Sequence, residues 1–328
     1  MASVFDSYIG VVDEVTYGTA VPVTRFYELS KESVSGKYER IESGAMTVGQ
    51  RVMRADRFAP NAKGADGSVE LEVLDKSFAF WLKHMLGNVA SGTKDADGFT
   101  TYTGTIADLS GKSFTMEIGR ADAAGGLNQF VYPGGKVSGW ELSNQVDGVL
   151  SLSVDAVFAK ETVRTGSPVT PTYPAGAKLF TYLGGTVSVD NATLAVSDVS
   201  VKGDNGLKDD RWAIGVGRRE PREQSARKLE FSFKGDFDSM TAYNKASAAL
   251  ASGALGNIVL TWVGVAPDPA KPTIVPSITV TMPNGRFDSA TPNIEAGKLP
   301  DLAISGVALN GTGNDAITVA YKTLDTAA

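Results

Sequence analysis

The sequence predicts a mainly β protein made of two similar halves. Three observations carry this prediction: apolar and polar residues alternate along many short segments, only two segments have helical spacing, and glycine is frequent. Glycine accounts for 36 of the 328 residues, above the usual share of about 7%, which indicates many turns. Hydrophobic residues make up 42% of the chain, so a substantial core can form.

Alternation is clearest in the segments 68–75 and 148–158. In the first segment Val69 and Leu71 face one side while Glu70 faces the other, which is the pattern of a strand with one wet face. The same pattern predicts further strands at 114–118, 186–190, 228–233, 258–262, 278–282 and 302–309.

Two segments, 77–86 and 238–251, are predicted to be helices. The first places Phe78, Trp81 and Met85 at helical spacing, and the second is rich in alanine. Each segment follows a predicted strand directly and is followed by glycine and further strands. The order of elements is therefore similar in the two halves.

An offset of 150 residues relates the segment 131–158 to the segment 281–308. Both begin with a stretch that contains proline and glycine, VYPGGKV and TMPNGRF, which we predict to be turns. Only four of the 28 aligned positions are identical, but the shared register and element order favour an internal duplication. The matched positions include Pro133 with Pro283, Gly135 with Gly285, Lys136 with Arg286, Leu152 with Leu302, Val154 with Ile304 and Val157 with Val307.

This repeat predicts two β-rich domains, 1–165 and 179–328, joined by a connector at 166–178. The connector is rich in proline and poor in apolar residues, which is typical of an extended linker.

Few residues are suited to catalysis. The chain has no cysteine and a single histidine, His84, which excludes thiolate sites and zinc sites with several histidines. We expect no enzyme, no cofactor and no metal, although a glycosidase with paired carboxylates stays open. Asp204, Asp209 and Asp210 are interpreted as a solvated turn in preference to a calcium site. We also expect no signal peptide and no membrane span.

The net charge of −6 argues against a nonspecific grip on nucleic acid. Against this acidic background, arginines cluster in two segments that precede the strands leading into the predicted helices. Two interpretations are open: solvated loop charges, or contacts with acidic surfaces on neighbouring copies of the chain. The candidates for contacts within or between rings of copies are Arg51, Arg54 and Arg57 in the first segment and Arg211, Arg218, Arg219 and Arg222 in the second.

Three stretches together resemble the major tail tube protein of long-tailed bacteriophages. They are 9–34, which begins IGVVDEV; 54–73, RADRFAPNAKGADGSVELEV, with the helix after it; and 131–161, which begins VYPGGKVSGWELSNQVDG. The resemblance covers the first half well. The second half resembles a divergent copy, in which ATPNIEAGK at 290–298 replaces WELSNQVDG at 140–148.

The resemblance implies two tandem tail-tube-like β-sandwich domains, each with one flanking α-helix. The sheets of neighbouring copies would join in a ring-shaped β-barrel, and rings would stack into a hollow tube that conducts the genome. Single-domain members form hexameric rings, so a two-domain chain implies trimeric, pseudo-hexameric rings. Closure across copies would also pair strand edges that otherwise promote aggregation. Candidates for the lumen or the outer face are Glu70, Glu72, Ser151, Asp155, Glu230 and Asp301.

The implied partners are further copies of the chain, together with tape measure, tail terminator and distal tail proteins. DNA would pass through the lumen without specific binding, and no membrane partner is expected. The implied location is the tail of the virion, after synthesis in the host cytoplasm. Two alternatives stay open: a β-sandwich decoration or receptor-binding protein of the virion, and hexameric rings if the second half is not a tube domain.

Overall fold

The computed structural model describes residues 4–164, 168–237, 240–297, 299–313 and 315–325, and the fold is mainly β, as predicted. Two predicted features fall partly outside these residues: the domain boundary at 165–167 and the start of the second helix at 238–239. No helix of the described part of the chain is long and apolar enough to cross a membrane.

The first half contains a short helix, α1 (Ala79–Leu86), in which every side chain except that of Lys83 is buried. A 3-10 turn, Val4–Asp6, precedes the first strand. The strands are β1 (Tyr8–Asp13), β2 (Arg25–Tyr27), β3 (Leu29–Glu32), β4 (Ser35–Glu42), β5 (Phe58–Glu72), β6 (Gly87–Ser91), β7 (Thr100–Ile106), β8 (Phe114–Ala121), β9 (Leu127–Gln145), β10 (Ser151–Phe158) and β11 (Thr162–Arg164).

The second half contains a longer helix, α2 (Met240–Ser252), and begins with a 3-10 turn at Tyr182–Gly184. Four of its strands are two-residue pieces of small hairpins. The strands are β12 (Gly185–Val189), β13 (Ala192–Leu194), β14 (Asp198–Asp204), β15 (Leu207–Lys208), β16 (Trp212–Ala213), β17 (Gly217–Arg218), β18 (Arg222–Glu223), β19 (Lys228–Asp236), β20 (Gly256–Val263), β21 (Ser277–Asn293), β22 (Asp301–Ala308) and β23 (Thr318–Thr323).

One wide antiparallel sheet runs through both halves of the chain. Its order is β3 and β4 together, then β5, β10, β9, β14, β19, β22 and β21. Side chains alternate between the two faces, so Leu152 and Val154 are buried while Asp155 between β10 and its neighbours is exposed. This alternation is the pattern that the sequence predicts for half-buried strands.

The long strands β9 and β21 leave the wide sheet and continue in a second layer. There β9 pairs with β8 and β11, and β21 pairs with β20 and β23. β1 and β2 extend this layer beside β8, and β12 and β13 extend it beside β20. Side chains between the layers, such as Trp81, Phe114 and Leu152, belong to one continuous core.

The stretches 131–137 and 281–287 are bends inside β9 and β21, so the turns predicted there are wrong. At the first bend Gly134 has a φ of 72°, a conformation that favours glycine. The buried carboxylate of Glu14 accepts the Gly134 N–H at 2.7 Å and also accepts two neighbouring hydroxyl groups. Proline and glycine do mark a change of direction, but the strand changes layer instead of reversing.

The pairing of the first half recurs in the second half with the same register. Ser143 faces Ser151 across β9 and β10, and Asn293 faces Asp301 across β21 and β22, 150 residues later on both strands. Each ladder is also interrupted by a β-bulge at the matching place, between the pairs of Asp155 and the next residue and between the pairs of Ser305 and the next residue. The order β5–β10–β9–β8 therefore has a counterpart in β19–β22–β21–β20.

α1 begins two residues later than predicted, because Ser77 has a φ of 69° and cannot be helical. His84 lies on its buried face, with Nε2 2.8 Å from a carboxylate oxygen of Asp13 on β1. Burial lowers the pKa of His84, and its Nδ1 has no partner among the described residues, so the neutral ring donates its Nε2–H to Asp13. Burial alone would raise the pKa of Asp13, but its bonds to His84 and Lys83 outweigh this and lower it to about 2.

Replacing Gly134 with alanine is expected to destabilise the fold by more than the roughly 1 to 2 kcal/mol of a left-handed L-residue alone. The added Cβ would lie 2.7 Å from the Cβ of Ala159, so the bend would have to shift. The measurement is the free energy of unfolding in urea. Gly111→Ala is the matched control, because Gly111 has the same φ of 72° and no atom within 4 Å of its added Cβ. Equal losses in the two variants would contradict the packing role of the bend.

Stability is expected to fall between about pH 7.5 and pH 5.5, because the unfolded chain binds a proton on His84 that the folded chain refuses. The folded pKa lies below the ordinary 6.5, so this contribution is complete above 6.5 and is lost as the pH falls toward the folded pKa. The slope reaches at most about 1.4 kcal/mol per pH unit. Asp13 keeps its contribution here, because its loss begins only below its ordinary 3.8.

The variant His84→Gln keeps a donor toward Asp13 but does not titrate, so most of this slope should disappear. The measurement is the urea midpoint of both proteins across the pH range. An equal slope in the variant would mean that other groups cause it.

Candidate assembly surfaces

The face of the wide sheet that points away from the core is polar across its whole width, and we call it the polar face. Residues that pair directly across an antiparallel ladder lie on the same face. One such row crosses the seven strands from β5 to β21 and consists of Glu72, Ser151, Ser143, Ser200, Ser232, Ser305 and Ser289. The polar face therefore continues from the first half of the chain into the second.

All six residues predicted for the lumen or the outer face lie on the polar face. Glu72 and Ser151 belong to the serine row, and the neighbouring rows contain the other four: Glu70, Asp155, Glu230 and Asp301. Their common placement depends on the pairing of β9 with β14, because this ladder brings the two halves into one sheet. Which side of an assembly the polar face lines stays a prediction.

Carboxylates outnumber cations on the polar face. Its strands carry ten acidic side chains and five lysines, and every one of these lysines forms an ion pair with one of the acids. Burial, followed by the nearby charge of Glu141, raises the pKa of Asp155. The surface as a whole is negative and repels phosphate groups. The acids are Asp66, Glu70, Glu72, Glu141, Asp155, Asp198, Asp204, Glu230, Asp236 and Asp301, and the lysines are Lys31, Lys37, Lys202, Lys228 and Lys234.

The two halves join where β14 pairs with β9, and we call this ladder the internal seam. It contains seven directly facing pairs. Leu142 faces Val201 on the buried side, so the core continues through the seam. Also on the core side, the indole N–H of Trp262 donates to the side-chain oxygen of Asn144 at 3.1 Å.

On the polar face the seam depends on Glu141, a residue that sequence reasoning missed. Its carboxylate accepts the Ser200 hydroxyl at 2.6 Å and lies 3.1 Å from the ammonium group of Lys202. The alternation in WELSNQ does place Glu141 on the same face as Ser143, but it does not reveal which strand lies opposite. The contact itself could be found only from the three-dimensional structure.

The wide sheet ends in two open edges, the outer sides of β3–β4 and of β21. At the first edge, carboxylates occupy the outward amides: Val34 N–H donates to Glu32 at 3.0 Å, and Gly36 N–H donates to Glu161 at 2.9 Å. At the second edge stands Pro292, which has no N–H. No strand of the described ranges pairs with the outer side of either edge over these residues. Side chains and a proline thus protect the edges in a single chain.

Residues 43–57, which we call the exposed segment, connect β4 to β5. All three predicted contact arginines of the first cluster lie here and are exposed. Arg54 forms a bidentate pair with Asp56 at 2.9 and 2.8 Å. An apolar cluster beside arginines is typical of a protein contact surface. The exposed apolar side chains are Met46, Val48 and Val52.

Residues 205–227, which we call the docked segment, connect β14 to β19 and pack against the first half. Arg218 has a side chain that is only 6% exposed, and it donates to the Phe158 carbonyl at 2.9 Å and the Asp209 carbonyl at 2.8 Å. Arg227 donates to the carbonyl at the end of α1, that of Leu86, at 2.7 Å. These arginines hold two parts of one chain together.

The other predicted contact arginines of the docked segment are placed differently. Arg211 is half-buried and donates to the Glu220 carbonyl at 2.5 Å. Arg219 and Arg222 have exposed side chains. A contact of these residues with a neighbouring copy stays a prediction, whereas the donors of Arg218 are already used inside the chain.

Lys136 anchors the docked segment from the core of the first half. Its side chain is 1% exposed, and its ammonium group lies 2.5 Å from the carboxylate of Glu220 and donates to the Leu109 carbonyl. Glu220 also accepts the Gly111 N–H at 2.7 Å. Burial lowers the pKa of Lys136, and the contact with Glu220 opposes that shift. The ion pair therefore compensates a charge that would otherwise be costly to bury.

The described residues contain no group of three or more histidine and acidic side chains that could hold a metal ion. In the stretch considered for calcium, Asp209 pairs with Arg218 at 3.3 Å and Asp210 pairs with Lys208 at 3.6 Å. Asp204 accepts a backbone N–H within its own turn. These contacts are those of a solvated turn.

Comparison with known families gives one match. A family model described as phage tail tube protein matches residues 5–322, which includes both halves, the exposed segment and the docked segment. No curated protein sequence matches the chain significantly.

Glu220→Ala is expected to lower the free energy of unfolding by about 3 to 5 kcal/mol, because Lys136 would remain as a buried cation without its counterion. The matched control is Glu230→Ala, which breaks an exposed ion pair with Lys228 and should cost much less. Urea denaturation of the two variants measures the difference. A loss in Glu220→Ala no larger than in the control would contradict the anchoring role of Lys136.

Proposed function

The chain belongs to the phage tail tube protein family, and we propose that three copies form a pseudo-hexameric ring that stacks with others into a hollow tube. Membership of the family makes the chain a structural protein of the phage tail. The number of chains in a ring, the stacking and the passage of DNA are the parts that we propose.

The repeated strand pairing supports two tube domains in one chain, 1–165 and 179–328. Eight strand positions of the wide sheet come from each chain, so three chains supply 24. With strands about 4.8 Å apart and tilted by about 40°, a closed barrel of this size is roughly 50 Å in diameter. Six chains would give a barrel roughly twice as wide. The observation that carries the proposal is the register that the two halves share.

The polar face supports a lumen that conducts DNA without holding it. In a closed ring one face of the wide sheet lines the channel, and the other face is already covered by the second layer and α1. The polar face is therefore the side available for the lumen. Its excess of carboxylates would repel the phosphates of a passing duplex, so the DNA would meet no specific binding site.

The exposed segment supports contacts between rings. It carries uncovered apolar side chains and three arginines, and it lies beyond the paired ends of β4 and β5. Acidic surfaces on the next ring would complement these arginines. The further partners that we propose are the tape measure, tail terminator and distal tail proteins, with assembly in the host cytoplasm before incorporation into the virion.

The direct test is electron microscopy of the purified protein and of a variant in which residues 44–56 are replaced by an Asn-Gly turn. The backbone of Ser43 already pairs with that of Arg57, so a two-residue turn can close the hairpin. We expect rings stacked into tubes for the natural chain, and unstacked rings for the variant. Val265→Ser, which removes an exposed valine elsewhere, is the control and should still give tubes.

Only monomers at high concentration of the natural chain would contradict the ring. Normal tubes from the turn variant would contradict stacking through the exposed segment. A urea unfolding curve for each variant separates a failure to stack from a failure to fold.

A further inference from the structure

We propose that the register of the internal seam is also the register between neighbouring copies, so that β21 of one copy pairs with β3–β4 of the next. This pairing rests on the proposed function, since the partner is a second copy of the chain. It adds the two strands, the residues that face each other and the state of the edges before assembly.

β21 occupies the position in the second half that β9 occupies in the first. Both strands bend from the second layer into the wide sheet, and both then pair with the strand that follows in sequence. Their ladders agree through the bulge, with an offset of 150 residues. β9 uses its remaining side to pair with β14 in the internal seam, whereas the matching side of β21 is an open edge.

β3 and β4 occupy the position in the first half that β14 occupies in the second. β14 pairs with β19 on its inner side, and β3–β4 pairs with β5, the counterpart of β19. The offset is 167 residues on the outer strands and 164 on the inner ones at every matched pair. Lys31 faces Glu70 where Asp198 faces Lys234, and Ser35 faces Asp66 where Lys202 faces Glu230.

The internal seam therefore supplies the register for the contact between copies. Residues of β9 are carried to β21 and residues of β14 to β3–β4 by the offsets given above. The facing pairs become Ser289 with Lys37 in place of Gly139 with Asp204, Ala290 with Gly36 in place of Trp140 with Gly203, and Pro292 with Val34 in place of Leu142 with Val201.

The hydrogen-bond phase of the seam decides which backbone groups meet. At its two ends, Val146 N–H donates to Ser197 C=O and Asn205 N–H donates to Ser138 C=O, both at 2.9 Å. In an antiparallel ladder hydrogen-bonded pairs recur every second residue, so the pair at position 142 of β9 is one of them. The matching position on β21 is 292, whose backbone nitrogen consequently faces the open edge.

Pro292 cannot donate across this edge, but the partner strand does not need that donor. The carbonyl of Val34, which would face it, already accepts from the guanidinium group of Arg120 and from the Tyr132 hydroxyl at 3.3 Å. No carbonyl is left without a hydrogen bond when the two edges meet. The proline also leaves the β21–β22 ladder intact, because its nitrogen points to the other side.

The outward amides of Val34 and Gly36 have carboxylate acceptors in a single chain, from Glu32 and Glu161. In the proposed contact these amides donate to carbonyl groups of β21, and the two carboxylates turn aside. The exchange replaces one acceptor by another, so few hydrogen bonds are lost on assembly. Before assembly the same carboxylates keep the edge from pairing with unrelated strands.

The test is disulfide crosslinking, which is clean because the natural chain has no cysteine. In the double variant Lys37→Cys/Ser289→Cys the two cysteines of neighbouring copies would face each other directly. Under mild oxidation we expect linked dimers and trimers on a non-reducing gel, and no larger species, because a ring of three is closed. Gly139→Cys/Asp204→Cys is the positive control and should link within one chain.

The register control is Ser35→Cys/Ser289→Cys, which shifts one cysteine by two residues. The two cysteines are then diagonal neighbours about 7 to 8 Å apart, too far for efficient linkage. We expect at least a severalfold lower yield than for the direct pair. Microscopy of each sample reports whether rings are present.

The outcomes separate the two proposals. Rings with no more linkage in the direct pair than in the diagonal pair would overturn the register and leave the proposed function standing. The absence of both rings and interchain linkage, with the positive control still linked, would overturn both.

Discussion

The backbone groups at the edges of the wide sheet are the constraint on which the rest of the structure depends. A twisted sheet of this width must either close or protect its edges, because unpaired N–H and C=O groups pair with any available strand. Inside the chain, the ladder of β9 and β14 closes one such edge over seven residue pairs. The other two edges are covered only by side chains and a proline, so a second copy can complete them.

The distribution of polar groups follows from this arrangement. The second layer and α1 cover one face of the wide sheet, and apolar side chains fill the space between them. Charged groups buried in that region have specific partners: Glu14 accepts hydrogen bonds at the bend of β9, and Lys136 pairs with Glu220 of the docked segment. The uncovered face carries serines and an excess of carboxylates. The same sheet thus provides a stable core on one side and a negative wall on the other.

Much of the fold follows from local patterns. Alternation along β10, for example at Val154 and Asp155, predicts a strand with one buried face, and the helical spacing of Trp81 and Met85 predicts α1. VYPGGKV was misjudged because proline and glycine indicate a bend but not its size. The bend angle depends on the carboxylate of Glu14, which is more than 100 residues away in sequence.

The candidate surfaces were predictable only in part. The polar alternates on single strands, such as Glu70 and Glu230, could be recognised, but the sequence does not state that both strands belong to one sheet. Arg218 is an instructive case, because its acceptors are backbone carbonyls. Side-chain identity carries no signal for such a contact, so an arginine docked within the chain and one that is free for a partner look alike in sequence.

The most direct measurement of the central claim is the number of chains in one ring, determined by native mass spectrometry on rings that have not stacked. The account predicts three chains, each of which contributes two equivalent parts. A ring of six chains would contradict it, because the second half could not then occupy the place of a tube domain in a barrel of the same size.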